Sequence, residues 1–453
     1  MNSRINKLTL ATLLIFIFQT VGGFSQSVQL TFDQVDTAEV DSVFTDYTIE
    51  TPGCAVGVTH QGGLIFSKGY GMANLDYGIP IEPNSRFMIA SISKQFAAAA
   101  LLMMEQEGLL DLDENLKTYI PELPDFETPI TARNVIHHTS GLRDLFSLLA
   151  LKDVGLDNTT GPDATLELIS NQTKLNFEPN SRYLYSNSGY FLMSVLVPNL
   201  TGMSLREYTN KHFFEPLGME DTHFHDDTGM IVSNRAESYR STSNGVGRFY
   251  RDNLDRVGAR GLFITIEDFA KWDANFLDNR SNLKDFRKKM LKLGVFNDGD
   301  EQDYAAGIRV SDYRKLDTFG HGGNYMGFRT SYMHFTDYEL GVIVFCNRSN
   351  ISPASHAREV ADIFLKDAFM ELFEEYTGTY QNDLFRTEFD VIEEEGKLYL
   401  IRGLGEKDEM VWQEDDEFEA GSRTVTFERN GDQIESMKLR SSRTANITFE
   451  RKN

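Results

Sequence analysis

Apolar residues recur with two different periods along this chain, and the change of period divides it. Residues 53–58 and 64–70 are strand-like runs joined through Gln61-Gly62-Gly63, which predicts a β-hairpin. Residues 91–107 are apolar almost all round, the pattern of a helix buried inside a large domain. Gly108 stands where such a helix would end. Residues 110–300 read as helical and loop segments punctuated by proline and glycine, and three strand-like runs follow at 316–320, 327–335 and 340–347. Ala357, Val360, Ala361, Phe364, Leu365, Ala368, Phe369, Leu372 and Phe373 then recur at helical spacing, predicting an amphipathic helix over 356–373 that packs on the sheet. From Tyr376 the period drops to two. Short alternating runs at 397–401, 409–412, 424–427 and 446–449, separated by Gly, Asn and Asp, predict a small antiparallel β-domain.

Residues 1–26 stand apart. Arg4 and Lys7 precede an apolar stretch from Leu8 to Phe18, and small residues around Val21-Gly22-Gly23-Phe24-Ser25 offer cleavage points. This is the pattern of a signal peptide, so the mature chain is expected to be secreted or periplasmic and without a membrane span. The chain is strongly acidic, with a formal charge of −24 at pH 7. Such a charge repels nucleic-acid phosphates and anionic lipid, which excludes a nucleic-acid-binding role. Cys54 and Cys346 are the only cysteines, and both lie in apolar runs. They read as buried free thiols that pack as small hydrophobes, although export makes a disulfide chemically possible.

Chemistry enters at Ile89-Ala90-Ser91-Ile92-Ser93-Lys94. Positions three apart on a helix share a face, so Lys94 can reach the Ser91 hydroxyl and, if desolvated, accept its proton. A serine helix cap would produce the same pattern, so the pair needs context. Tyr185-Ser186-Asn187 follows 94 residues after Ser91, and His321-Gly322-Gly323 a further 136 residues on.

In this order the motifs resemble those of the serine β-lactamase-like superfamily, which includes class C β-lactamases, D-alanyl-D-alanine carboxypeptidases, D-aminopeptidases and related esterases. His138-Thr139-Ser140-Gly141-Leu142, Thr201-Gly202-Met203-Ser204-Leu205, Pro216-Leu217-Gly218-Met219 and Gly258-Ala259-Arg260-Gly261-Leu262 resemble further blocks of that family. The resemblance implies an α+β, β-lactamase-like fold over residues 27–373: a five-stranded antiparallel sheet flanked by helices, with a helical subdomain. Residues 374–453 would form a lipocalin-like β-barrel. It also implies that the first strand neighbours the fifth, which would bring Cys54 beside Cys346.

On this reading Ser91 is the nucleophile, Lys94 its base, and Tyr185 a proton shuttle whose pKa is lowered by neighbouring cations. Asn187, His321, Gly322, Gly323 and Asn324 bind substrate, and the backbone N–H groups of Ser91 and Asn324 receive the oxyanion. The glycines would let a substrate backbone approach the strand. His321 departs from the lysine of β-lactamases, which argues against a dedicated β-lactamase. Arg260 reads as a surface or salt-bridge residue, with a substrate carboxylate as the alternative partner. His138 reads as a loop-organising hydrogen bonder. His223 and His225 lack a second ligand cluster, so no metal and no cofactor is expected.

The leading expectation is an exported serine hydrolase acting through a Ser91 acyl-enzyme on small peptides (D-residues included), amides or esters. A penicillin-binding carboxypeptidase or weak β-lactamase is the second enzymatic reading. A non-hydrolysing sensor on the same fold is the third.

Overall fold

A computed structural model describes residues 37–155, 160–243, 245–249, 255–403 and 405–452. Residues 1–26, expected to be a signal peptide, lie outside these residues. The central antiparallel sheet contains β1 (Cys54–His60), β2 (Gly63–Tyr70), β3 (Arg309–Tyr313), β4 (Leu316–Tyr325), β5 (Phe328–Phe335) and β6 (Leu340–Cys346), in the order β3-β4-β5-β6-β1-β2. It therefore has six strands rather than five. The added edge strand β3 is mostly exposed, so no apolar run announced it.

Both faces of the central strands are buried, and the period of two sorts their side chains into two cores. Ala55, Ile343 and Phe345 face one cluster, together with the buried helix α1 (Ser93–Gln106). Cys54, Val56, Val58, Val342, Val344 and Cys346 face the other. On the first face, α2 (Ile266–Asp278) packs across β1, where Gly57 makes room for Ile266. On the second, the expected single helix is two: α3 (Pro353–Phe364) and α4 (Lys366–Glu374), broken at the fully buried Leu365. α1 ends as its Gly108 suggests. Gly108 adopts φ +72°, its N–H donates to Glu105 O, and that of Leu109 donates to Met104 O.

β1 and β6 pair with Cys54 opposite Cys346, and the two are joined by a disulfide. The free-thiol expectation is thereby corrected: two apolar strands side by side place the sulfurs in contact, which local sequence cannot register. The bond closes a loop with a sequence separation of 292. Cys54→Ala is expected to lower unfolding free energy by roughly 2–5 kcal/mol in urea titrations. Equal midpoints for the variant and the non-reduced wild type would contradict this.

Residues Gly378–Arg451 form a closed barrel of eight antiparallel strands. Its interior is continuous with the second core. Phe373 and Tyr376 reach Phe418 at ring-centroid distances of 6.2 and 5.1 Å. Lys315, in the β3–β4 turn, donates to Tyr376 Oη, and Asp416 accepts from both Tyr376 and Arg429. The barrel thus grips the turn that leads into the strand carrying His321. Among the described residues, no helix is long and apolar enough to cross a membrane.

Candidate active site

Ser91 lies in a single 3-10 turn, Ala90–Ile92, that runs directly into α1. Ala90 adopts φ +49°, a strained conformation for a residue with a Cβ. The turn is held from two sides: the Ile89 N–H donates to Leu262 O, and Thr330 Oγ1 donates to Ile89 O at 3.0 Å. Gly323 belongs to the same clamp. A Cβ there would come within 2.4 Å of Ile89 O and 2.1 Å of Thr330 Oγ1. The two glycines therefore differ: Gly323 lets the strand pack on the nucleophile turn, whereas a Cβ at Gly322 would meet only Thr330 O, at an ordinary contact distance of 3.7 Å.

Lys94 is fully buried, with Nζ 3.1 Å from Ser91 Oγ, 2.9 Å from Asn187 Oδ1 and 2.8 Å from Ala259 O. Burial lowers its pKa to about 7; Asp144 opposes the shift and Arg260 assists it. A neutral amine has two hydrogens and one lone pair. With the hydrogens on Asn187 and Ala259, the lone pair is left for the Ser91 hydroxyl. That is the geometry of a base.

Asp144 is a residue that motif reasoning missed. Its Oδ2 accepts from both N and Nδ2 of Asn187 at 2.8 Å, which turns Asn187 Oδ1 toward Lys94. Its Oδ1 caps the helix Leu145–Leu151 by accepting from Phe146 N and Ser147 N. An N-cap aspartate two residues after the His138–Leu142 block was the available signal. His138 fits its expected role, since its Nδ1 accepts from Ser186 N at 3.1 Å and its ring lies tilted against that of Tyr185, centroids 4.2 Å apart.

Tyr185 corrects an expectation. Burial raises its pKa, only partly offset by its hydrogen bond with Ser91. Arg309 adds a small opposing effect, but the two cations expected beside it, Lys94 and His321, are not fixed charges at rest. Lys94 titrates near neutrality, and burial, with the Lys94 charge adding, pulls His321 down to about 3. His321 Nδ1 lies 2.6 Å from Gly322 O and its Nε2 3.0 Å from Tyr304 Oη, which makes Tyr304 the donor to a neutral ring. The phenol of Tyr185 therefore carries its proton in the resting site.

Ser91, Tyr185, Asn187, His321, Gly322, Gly323 and Asn324 line one open cleft of about 980 Å³. Arg260 lines it too, 4% exposed and 4.3 Å from the Tyr325 ring centroid, which overturns the surface half of the surface-or-salt-bridge expectation. His223 and His225 lie against Phe263, and neither lines this cleft.

The Beta-lactamase family model matches residues 40–364, most of the chain. The chain belongs to the beta-lactamase family. Among curated relatives, D-aminopeptidase of Gluconobacter oxydans (strain 621H) is 27% identical over 311 residues, covering 68% of this chain and 58% of that protein. D-aminopeptidase of Brucella anthropi is 26% identical over 300 residues, covering 65% and 56%. The chain thus spans less than two thirds of the length of these relatives. Two solved structures share the fold. The octameric penicillin-binding protein homologue from Pyrococcus abyssi has TM-score 0.65 and 19% identity, covering 92% of this chain and 100% of its own. The D-amino acid amidase from Ochrobactrum anthropi SV3, complexed with L-phenylalanine, has TM-score 0.60 and 19% identity, covering 74% and 99%. The former likeness extends over the C-terminal barrel as well.

Proposed function

We propose that this protein is an exported serine hydrolase that acts through a Ser91 acyl-enzyme on small peptides, amides or esters, D-residues included. The arrangement of Lys94 carries the reading: a fully buried amine, neutral above about pH 7, whose lone pair faces the Ser91 hydroxyl. Lys94 takes the Ser91 proton as Oγ attacks the carbonyl. The backbone N–H groups of Ser91 and Asn324 receive the oxyanion. Tyr185, protonated at rest, gives its proton to the leaving group and recovers one through Lys94; the same groups then activate water on the acyl-enzyme. Asn187, oriented by Asp144, holds Lys94 and can donate to a substrate carbonyl once displaced from Asp144. His321 and Gly322 border the scissile bond. Relatives bearing the name D-aminopeptidase support amide substrates. The uncharged His321 disfavours a dedicated β-lactamase.

A fluorophosphonate should label the wild type and fail to label Ser91→Ala. Labelling that survives in Ser91→Ala would sink the assignment of the nucleophile. Labelling of the wild type by neither fluorophosphonate nor a fluorescent penicillin would favour the sensor reading. A long-lived penicillin adduct would favour the carboxypeptidase.

A further inference from the structure

Among its described lining residues, the cleft above Ser91 inverts the charge of the chain. Acidic residues outnumber basic ones 68 to 44 over the chain, yet Arg240, Arg260 and Arg329 line the cleft and none of its described lining residues is acidic. The three arginines come from separate elements and gather at one end of β4. Arg260 lies over Tyr325, Arg329 is the register partner of Asn324, and Arg240 on the strand Tyr239–Thr242 lies 5.5 Å from the ring centroid of Phe249. Arg329 Nη1 donates to the carbonyls of Met326 and Phe328 at 2.8 Å, which fixes the side chain without neutralising it. Asp144, which interacts electrostatically with Lys94, is engaged by Asn187 and its own helix and does not line the cleft.

The opposite end holds His321, with the Tyr185 ring 6.2 Å and the Tyr304 ring 5.7 Å from it. A leaving group protonated by Tyr185 departs at that end, so the acyl portion of the substrate extends toward Tyr325 and the arginines. We infer that this end is an acyl-side anion subsite, and that the preferred substrates carry a carboxylate on the acyl portion. The inference rests on the acyl-enzyme reading above. It also separates this chain from the activity named for its relatives. An aminopeptidase substrate carries an α-ammonium beside the scissile carbonyl, where these arginines would repel it and no described lining carboxylate would pair with it.

The test compares N-succinyl-, N-acetyl- and free alanyl p-nitroanilides, in the D and L series, on the full-length protein. In each, the Ser91 Oγ–carbon bond forms, the carbon–nitrogen bond breaks and the serine proton ends on p-nitroaniline; water then releases the acid. The succinyl substrate should exceed the acetyl one by about tenfold in kcat/KM, with the free ammonium slowest, and the preference should shrink as salt is added. The exposed Arg240→Gln should lower the succinyl-to-acetyl ratio. Equal rates for succinyl and acetyl substrates, or a preference for the free ammonium, overturn the subsite if p-nitrophenyl acetate is still hydrolysed through Ser91. If hydrolysis of p-nitrophenyl acetate is unchanged in Ser91→Ala, the acyl-enzyme reading falls and the subsite with it.

Discussion

Lys94→Met is expected to lower kcat/KM for p-nitrophenyl acetate by about 10³-fold or more, because removing one member of a proton-transfer unit removes most of what the unit does. Methionine fills the buried volume without a base, so the variant should remain folded. Only the neutral amine accepts the Ser91 proton, and burial brings the Lys94 pKa down to about 7. Wild-type kcat/KM should therefore climb about tenfold per pH unit below 7 and level off above it. His321, held near 3, adds no second limb between pH 5 and 8. A flat profile over that range, or a variant within tenfold of wild type, would remove Lys94 from the role of base.

The second large effect is on stability. Asp273, on α2, is 2% exposed and accepts from Thr59 Oγ1 and Tyr332 Oη at 2.5 Å and from His334 Nδ1 at 2.7 Å. Glu339 pairs with the far side of His334 and with Arg287. Burial works against charge on both members of the pair. The attraction of Asp273 and Glu339 outweighs it at His334, raising that pKa to about 9, and His334 with three hydrogen bonds keeps Asp273 ionised below its ordinary value near 3.8. The contribution of His334 is complete below its unfolded value near 6.5 and is lost as pH rises through about 9. That of Asp273 is complete above about 3.8 and is lost as pH falls through its lower folded value. The network is therefore worth most between about pH 4 and 6.5. Asp273→Ala should cost roughly 3–5 kcal/mol in urea unfolding at pH 6, and clearly less at pH 10. A deficit independent of pH would show that the carboxylate acts by packing alone.

The central strands β1 and β6 were legible because a strand buried on both faces reads as a continuous apolar run, and the edge strand β2 because the Gln61-Gly62-Gly63 turn folds it back on β1. β3 was not, since an exposed edge strand of Arg-Val-Ser-Asp-Tyr has no such run. α3 and α4 merged in the sequence because Leu365 stays in phase with its apolar neighbours while its backbone leaves the helix. Ser91, Lys94, Tyr185 and Asn187 were picked out as candidates through motif order, which encodes residue identity. Electrostatics lay beyond it. The Tyr185 shift is upward because burial of the phenol itself outweighs its hydrogen bond with Ser91, and motif order does not record burial. Asp144 acts through Asn187, so only the coordinates of both reveal it.

The seam between β1 and β6 joins residues that are synthesised far apart, Cys54 against Cys346. A nascent chain completes the β1–β2 hairpin early and then waits through most of its length for the strand that covers the other edge. Throughout that interval the outer edge of β1, with Val56 and Val58 beside it, is an open template for foreign strands. Closure of this sheet therefore waits until Leu340–Cys346 has been made, and a long aggregation-exposed phase precedes it.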